Sequence, residues 1–277
     1  MNATQTTAEF LGISSEPGDT QVLPVGAHLI GGGSGSLFGG VGVAAALITL
    51  EAMTSQAPVY MTCQFASTVV PPAELTFVTE VLAQGRTVSQ GRITATSEGR
   101  TILALIGATG HRTEDHLARG SKMPVVAPPE ELAPLRRVDE EPSLHHHVDV
   151  RMARGAFGFA SEDAEGRGTA SGDSNTLFWT RMPNVVHDAA ALSLMADYLP
   201  SAVGNAVGEQ VFCSSLDNTV RFTGPIETDT TSEWVLCESH VEFVGAGFAS
   251  NRGFLWSRDG RLLASANQSV TVARPRI

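Results

Sequence analysis

Two long apolar segments constrain the fold most, because nearly all the rest of the chain is typical of strands and loops. The first covers residues 37–53 after a glycine-rich opening at residues 31–36, and the second covers about residues 185–199. Both are apolar nearly all round, which predicts two helices that are buried on most sides. Proline cannot continue a helix, so we expect the second helix to end at Pro200.

After each helix the sequence becomes rich in strand-forming residues, in four consecutive runs. In the first half the runs are residues 59–70, 75–82, 87–96 and 101–110, and in the second half they are residues 211–222, 234–244, 248–257 and 262–273. Each half is therefore predicted to be one long helix followed by an antiparallel meander.

Three landmarks occur in both halves, and the number of residues between the two copies of a landmark increases toward the end of each half. The Glu98-Gly99 and Asp259-Gly260 hairpins differ by 161 residues (260 − 99), Pro71 and Pro225 by 154, and Ala44 and Ala189 by 145. An internal duplication with loops of unequal length produces such a series. We therefore predict one fold unit at residues 1–113, a proline-rich linker at residues 114–143, and a second copy of the unit at residues 144–277.

The charge of the 277-residue chain excludes some partners. Its formal net charge is −11, with no cluster of Lys or Arg. Nucleic acids and anionic membranes need a dense basic surface, so we predict neither partner. The longest apolar run, residues 41–50, is about half of the ~20 residues that a membrane span needs, and the first ten residues lack a secretory pattern. Three widely spaced cysteines, Cys63, Cys213 and Cys237, indicate reduced buried thiols and a cytoplasmic protein.

Three adjacent histidines, His145, His146 and His147, follow the linker. A metal-binding tract is one interpretation. Alternate residues of a strand face opposite ways, however, and no Asp, Glu or Cys pattern accompanies the histidines. We therefore predict no metal site and no cofactor.

Short motifs in a fixed order carry a resemblance to a known family. They are Leu37-Phe38-Gly39-Gly40, Gly85-Arg86-Thr87-Val88-Ser89, Leu194-Met195-Ala196-Asp197-Tyr198, and the segments at residues 214–222 and 259–268. Over about residues 20–273 the chain resembles the acyl-CoA thioesterase II family and its thioesterase-like relatives. The resemblance implies an α+β double hotdog, in which each of two repeats wraps an antiparallel sheet around a long helix. It also implies an acyl-CoA substrate and a role in fatty acid metabolism, and it leaves assembly into a homo-oligomer open.

The resemblance also implies a catalytic set. The family hydrolyses acyl-CoA thioesters with an Asp at the end of the second helix, a Thr or Ser on the next strand and a Gln on the last strand. Carried over by position, these are Asp197, Ser215 and Gln268. Two positions depart from the family pattern: Asn218 stands where a His is usual, and Ser269-Val270 replaces Glu-Gly.

The chemistry suits these residue types. A thioester is already activated, so a water held beside its carbonyl suffices, with Asp197 as general base and Ser215 and Gln268 as positioning groups. Gln268 alternates in phase with apolar residues of its strand, which places its amide on the buried face. Simple alternation groups Ser215 with Asp217, and which face meets the helix stays open because a bulge would change it.

Two further expectations follow from the helices and the duplication. Gly39 and Gly40 suit either an oxyanion site at a helix start or close packing of helix and sheet. At the offsets above, Asp197, Ser215 and Gln268 correspond to Ala52, Met61 and Gly107. The first repeat would then lack all three polar groups, which predicts one site per chain, in the second repeat.

Two other functions stay open. A non-catalytic hotdog that binds acyl-CoA is one, and it would need local bases for the CoA phosphates, such as Arg86, Arg92 or Arg252. A hotdog enoyl-CoA hydratase is the other, because residues 171–175 (Ser-Gly-Asp-Ser-Asn) resemble the start of that family's motif. Residues 177–179 (Leu-Phe-Trp) replace the His that the motif needs as partner base, so a turn is the simpler interpretation.

Overall fold

A computed structural model describes residues 4–31, 35–112, 120–136, 142–158, 160–161, 163–224, 226 and 233–274. Its α-helices are α1 (Thr7–Leu11), α2 (Gly39–Thr54), α3 (Ala189–Ala196) and α4 (Ala202–Val207). Strands of the first half are β1 (Thr20–Val25), β2 (Ile30–Gly31), β3 (Ser36–Leu37), β4 (Pro58–Phe65), β5 (Ala73–Ala83), β6 (Val88–Ser97) and β7 (Arg100–Gly110). Those of the second half are β8 (Asp149–Arg154), β9 (Asn175–Arg181), β10 (Phe212–Ser215), β11 (Asp217–Phe222), β12 (Val235–Gly245), β13 (Phe248–Ser257) and β14 (Leu262–Ala273).

Twelve of these strands form one antiparallel sheet with the order β1-β5-β6-β7-β4-β11-β14-β13-β12-β9-β8, and β10 pairs with β14. The two halves meet where β4 pairs with β11, from Asp217 opposite Gln64 to Arg221 opposite Tyr60. Around that seam the strand order is nearly palindromic, so the predicted duplication and the α+β class are confirmed. The predicted boundaries at residues 113 and 143 stay predictions.

Helix α2 is buried along most of its length and packs against α3 and the sheet. Small sheet residues make the close approach possible: a Cβ added at Gly91 would lie 2.4 Å from the Leu50 side chain, and one at Gly107 would lie 3.2 Å from it. The α2 start is next to the α3 end, because the Gly40 amide reaches Asp197. At their other ends, Asp188, the N-cap of α3, acts electrostatically on Glu51 near the end of α2, so the two helices are antiparallel.

The predicted bounds of the second helix, about residues 185–199, were wrong at both ends, because α3 covers Ala189–Ala196. It begins at Ala189 rather than residue 185, because the Asp188 side chain accepts a hydrogen bond from the Ala191 amide and caps the helix. Pro200 does not end the helical region, because it lies in the first turn of a 3₁₀ helix, Leu199–Ser201, where its missing N–H is not needed. Helix α4 follows directly.

The predicted strand at residues 211–222 is two strands separated by a bulge. Ser215 lies opposite Val270, whereas Thr219 lies opposite Asn267, so the β10–β11 side holds one extra residue. That residue reverses the alternation. Ser215 therefore shares a face with Asn218, and the predicted grouping of Ser215 with Asp217 is wrong.

The first-half strand predicted at residues 59–70 ends at Phe65, and residues 66–70 leave the sheet. The other predicted strands begin and end within about two residues of the observed ones. The predicted four-strand meander is wrong for the first strand of each half, because β4 pairs with β7 and β11 pairs with β14 instead of with the next strand in the chain. The prolines used as a landmark include Pro225, which lies outside the described residues, as do residues 32–34 of the glycine-rich opening and residues 114–119 and 137–141 of the linker.

The described part of the linker, residues 120–136, packs on the outer face of the second repeat. The Trp179 indole donates to the Ala127 carbonyl at 2.9 Å, and Arg258 forms two contacts of 2.7 and 2.9 Å with the Glu130 carboxylate. The histidine tract lies in a 3₁₀ helix, Leu144–His147, so the strand alternation assumed for it was wrong. Over the described ranges, no group of three His, Cys, Asp or Glu residues could hold a metal ion. No described helix is both long enough and apolar enough to cross a membrane.

Candidate active site

Asp197 lies at the C-terminal end of α3, where it is 5 % exposed. Its Oδ2 atom accepts a hydrogen bond of 2.7 Å from the amide of Gly40, in the first turn of α2. A carboxylate at a helix C-terminus opposes the dipole of its own helix, but here it lies at the positive end of the neighbouring one. The antiparallel packing of the two helices therefore provides the electrostatic support for this buried acid.

Gln268 and Ser215 join Asp197 through a single amide group. The Gln268 Nε2 atom donates to Asp197 Oδ1 at 2.6 Å and to Ser215 Oγ at 2.7 Å. Both protons of that amide are then used, and the serine oxygen acts as an acceptor, which leaves the serine hydroxyl proton to be donated elsewhere. The structure thus brings the three residues predicted from sequence together, although they come from α3, β10 and β14.

Asn218 is a fourth member of this group that sequence reasoning treated only as a departure from the family pattern. It is completely buried, and its Nδ2 atom lies 3.4 Å from Asp197 Oδ1. The bulge after Ser215 turns Asn218 toward the helices, and plain alternation gave no signal of this. Asp197 therefore has donors on both oxygens, from Gln268, Gly40 and Asn218.

Burial raises the pKa of Asp197 from its ordinary 3.8 to about 6, and the hydrogen bonds from Gln268, Gly40 and Asn218 oppose that rise. A carboxylate with a pKa near 6 is mostly ionised at neutral pH and is more basic than an exposed one. It is therefore suited to take a proton from water under those conditions.

A cavity of about 460 Å³ opens beside this group, and its wall includes Asp197, Ser215 and Gly39. Further apolar residues of the wall are Leu37, Phe38, Phe65, Val69, Ile102, Leu103, Val211 and Phe212. Cys213 also lines the cavity, but burial raises the pKa of its thiol to about 12, so it remains protonated. In this largely apolar wall, the Gln268 amide holds the Asp197 carboxylate and the Ser215 hydroxyl in a fixed relation.

His145 also lines the cavity and was not predicted as a site residue. It is buried, and its Nδ1 atom lies 2.8 Å from the Tyr198 hydroxyl. Phe38 lies against both rings, with centroids 6.0 Å from His145 and 4.9 Å from Tyr198. The sequence signal was the histidine tract, which suggested only a metal site.

The two glycines at the start of α2 differ in role. The Gly40 amide donates to Asp197, and the oxyanion role of Gly40 stays a prediction. A Cβ added at Gly39 would lie 2.8 Å from Asp197 Oδ2, and one at Gly40 would lie 2.8 Å from the Leu194 carbonyl oxygen. The packing at both positions is therefore too close for any residue with a side chain unless neighbouring atoms shift. Gly39 lines the cavity, and its oxyanion role stays a prediction.

The strand register corrects the comparison of the two repeats. Gly107 lies opposite Met61 and Ala266 lies opposite Val220, while Met61 and Val220 face each other across the seam. Gln268, two residues past Ala266, therefore matches Thr109 rather than Gly107. The first repeat has a hydroxyl at that position, which donates to Thr54 at 2.8 Å, and it lacks the amide.

The segment that suggested a hydratase forms a turn before β9. The Asp173 carboxylate accepts a hydrogen bond from the Asn175 amide at 2.9 Å and pairs with Arg154 at the surface. Asn205 anchors the turn through a bond of 2.8 Å to the Asp173 carbonyl. Asp173 is not on the cavity wall, so this segment does not contribute to the site described above.

Two helix-and-sheet repeats joined at one seam, with a buried carboxylate beside a cavity, define a protein of the double hotdog class. The acyl-CoA thioesterase N-terminal domain model matches residues 31–110, and the acyl-CoA thioesterase C-terminal domain model matches residues 128–272. Together these matches cover well over half of the chain. The chain therefore belongs to the acyl-CoA thioesterase family.

Solved structures give the same fold. A protein from Novosphingobium aromaticivorans DSM 12444, described provisionally as a thioesterase, is 29 % identical, with a TM-score of 0.78 over 91 % of this chain and 95 % of its own. A hot dog fold protein of unknown function from Alicyclobacillus acidocaldarius is 22 % identical, with a TM-score of 0.84 over 98 % of both chains. The acyl-CoA thioesterase II TesB2 from Mycobacterium marinum is 19 % identical, with a TM-score of 0.71 over 97 % of both. None of the curated proteins matches the chain significantly.

Proposed function

We propose that the protein hydrolyses an acyl-CoA thioester to a free acid and CoA with a water molecule activated by Asp197. The observation that carries this proposal is the link from the buried Asp197 carboxylate, through the Gln268 amide, to the Ser215 hydroxyl on the wall of the same cavity. With Gln268 fixing their positions, the Asp197 carboxylate and the Ser215 hydroxyl can hold one water, which donates a proton to the carboxylate and accepts one from the serine.

In the proposed reaction the water oxygen attacks the thioester carbonyl carbon while Asp197 takes one of the two water protons. The carbonyl oxygen becomes an oxyanion, and the carbon–sulfur bond breaks when the carbonyl re-forms. The proton held by Asp197 then passes to the leaving thiolate. The second water proton stays on the acid, so carboxylic acid and thiol are the products and the carboxylate is restored.

The amide of Gly39 is the proposed donor to the oxyanion. It belongs to the first residue of α2, where helix amides have no partner within the helix, and Gly39 lines the cavity beside Asp197. The dipole of α2 favours negative charge at this end. In this proposal the same helix start stabilises both the general base, through Gly40, and the oxyanion, through Gly39.

We place this activity in the cytoplasm and in fatty acid metabolism. The free, buried thiols of Cys63 and Cys237 fit a reducing compartment, and an apolar cavity wall fits an acyl chain.

The test is the release of free thiol from acyl-CoAs of short, medium and long chain, comparing the parent with Asp197→Asn and with Asp149→Asn. Asp149 is a suitable control because it forms a surface ion pair with Arg181 far from this chemistry. We expect turnover by the parent and by the control, and a loss of at least a hundredfold in Asp197→Asn. No turnover on any chain length would favour the non-catalytic binder, and water addition to an enoyl-CoA would favour the hydratase.

A further inference from the structure

The charge of the protein raises a question about its substrate. CoA carries several negative charges on its phosphates, whereas the chain has a formal net charge of −11. Within the described ranges, no Lys or Arg is on the wall of the catalytic cavity. If the function proposed above is correct, a cation near the cavity mouth must compensate.

Three arginines suggested by the sequence do not fit this task. Arg92 and Arg252 are already paired, with Glu80 and Glu242 on their own sheet. Arg86 follows Gly85, whose carbonyl accepts a hydrogen bond of 3.0 Å from Gln56, just beyond the C-terminal end of α2. A 16-residue helix is about 24 Å long, so Arg86 is at the far end of α2 from Asp197.

Arg100 adjoins the cavity. It is exposed at the start of β7, and its Nη2 atom donates to the Thr68 carbonyl at 3.2 Å. Thr68 and its neighbour Ser67 line the cavity, and so does Ile102, two residues beyond Arg100 on the same strand. This contact holds the guanidinium at the rim of the cavity.

The guanidinium of Arg100 keeps most of its donors available. It has five N–H groups, and the bond to Thr68 uses one. None of the ion pairs in the described part of the chain includes Arg100. A planar, permanently charged group held in this way is suited to bind phosphate oxygens in a two-point geometry.

We propose that Arg100 binds a phosphate of the thioester substrate at the rim of the cavity, with its contact to Thr68 as the anchor. The shared chemistry is a phosphorylated pantetheine thioester, supplied either by CoA or by a phosphopantetheine-bearing carrier. Arg100 is then a binding residue that acts on substrate capture and leaves the chemical step at Asp197 unchanged.

The first measurement is the dissociation constant of CoA and of pantetheine, by calorimetry, for the parent, Arg100→Ala and Arg86→Ala. Pantetheine is the matched ligand without phosphate, and Arg86 is the matched exposed arginine at the other end of α2. We expect Arg100→Ala to raise the dissociation constant of CoA on the order of tenfold and to leave that of pantetheine unchanged. Arg86→Ala should have the same dissociation constants as the parent for both ligands. Equal CoA affinity in the parent and Arg100→Ala, or a parent that binds no CoA, overturns the assignment.

The second measurement separates this assignment from the proposed function and identifies the phosphate. Hydrolysis of acyl-CoA, acyl-phosphopantetheine and acyl-pantetheine is followed by thiol release. We expect Arg100→Ala to raise KM about tenfold for the phosphorylated substrates and to leave kcat unchanged. A higher KM for both acyl-CoA and acyl-phosphopantetheine locates Arg100 at the phosphate next to pantetheine. A higher KM for acyl-CoA alone locates Arg100 at the nucleotide end of CoA. A parent that binds CoA through Arg100 but hydrolyses none of the three contradicts the proposed function and retains the binding site.

Discussion

The pH dependence of catalysis follows from the environment of Asp197. Burial raises its pKa from 3.8 to about 6, and only the ionised form can accept a proton from water. At about pH 5, roughly a tenth of the protein carries the ionised carboxylate, and at about pH 7 roughly nine-tenths does. We therefore expect kcat/KM to rise about tenfold from pH 5 to a plateau above pH 7.

Replacing Gln268 tests whether this titration belongs to Asp197. The Gln268 amide donates to Asp197 Oδ1 at 2.6 Å and thereby lowers the pKa of the carboxyl. Gln268→Met has a similar volume without the donor, so it should move the acidic limb above pH 6 as well as lower the plateau. Arg86→Ala is the control and should leave the limb in place.

The assay is the loss of thioester ultraviolet absorbance, which avoids the pH dependence of thiol reagents, with a thermal melt to confirm that each variant is folded. A flat profile between about pH 5 and pH 8 refutes the assignment of Asp197 as the base. An acidic limb that stays at the parent's position in folded Gln268→Met refutes the hydrogen-bonded link between the two residues.

Three further predictions concern the site and helix α2. Gly40→Ala places a Cβ 2.9 Å from the Asp197 Cβ, so we expect a loss of about 1–3 kcal/mol in the free energy of unfolding and at least a tenfold lower kcat; parent-like values for both would contradict the packing. Ser215→Ala removes the proposed donor to the water, so kcat should fall about 10–100-fold with KM nearly constant, and an unchanged kcat would exclude that role. Burial and the nearby Asp188 raise the pKa of Glu51 from 4.5 to about 8, so the protein should lose stability as the pH rises through this interval. Chemical denaturation of Glu51→Gln should then show a gain over the parent on the order of a few kcal/mol near pH 9 and little gain near pH 4, and an equal difference at both pH values would contradict the burial of this charge.

Local pattern was enough to predict much of this fold. The two apolar helices and the runs of strands depend on periodicity and composition, which are local properties of the chain. The pairing of the first strand of each half was predicted wrongly, because β4 and β11 pair with the last strand of their halves, which is a long-range relation. The alternation of the last strand also placed the Gln268 amide on the buried face, whereas its choice as a site residue came from the family resemblance. The positions of Asp197 and Ser215 came from the family resemblance, and their hydrogen bonds are consistent with it.

What sequence reasoning missed depends on contacts between distant segments. The bulge that brings Ser215 and Asn218 to one face exists because β10 and β11 pair with β14 in registers that differ by one residue. The role of Gly40 depends on the end of α3 meeting the start of α2. No local pattern encodes either relation. Sequence reasoning therefore treats Asn218 only as a departure from the family pattern and leaves Gly40 open between an oxyanion role and close packing.

The most direct test of direct water attack is a single turnover of acyl-CoA in ¹⁸O-labelled water, with enzyme in excess and the products analysed by mass spectrometry. If Asp197 activates water, the free acid should contain one ¹⁸O atom from the first turnover, no acyl group should accumulate on the protein, and Asp197 should remain unlabelled. An unlabelled acid with ¹⁸O in Asp197, or an acyl group trapped on Ser215, would contradict the account.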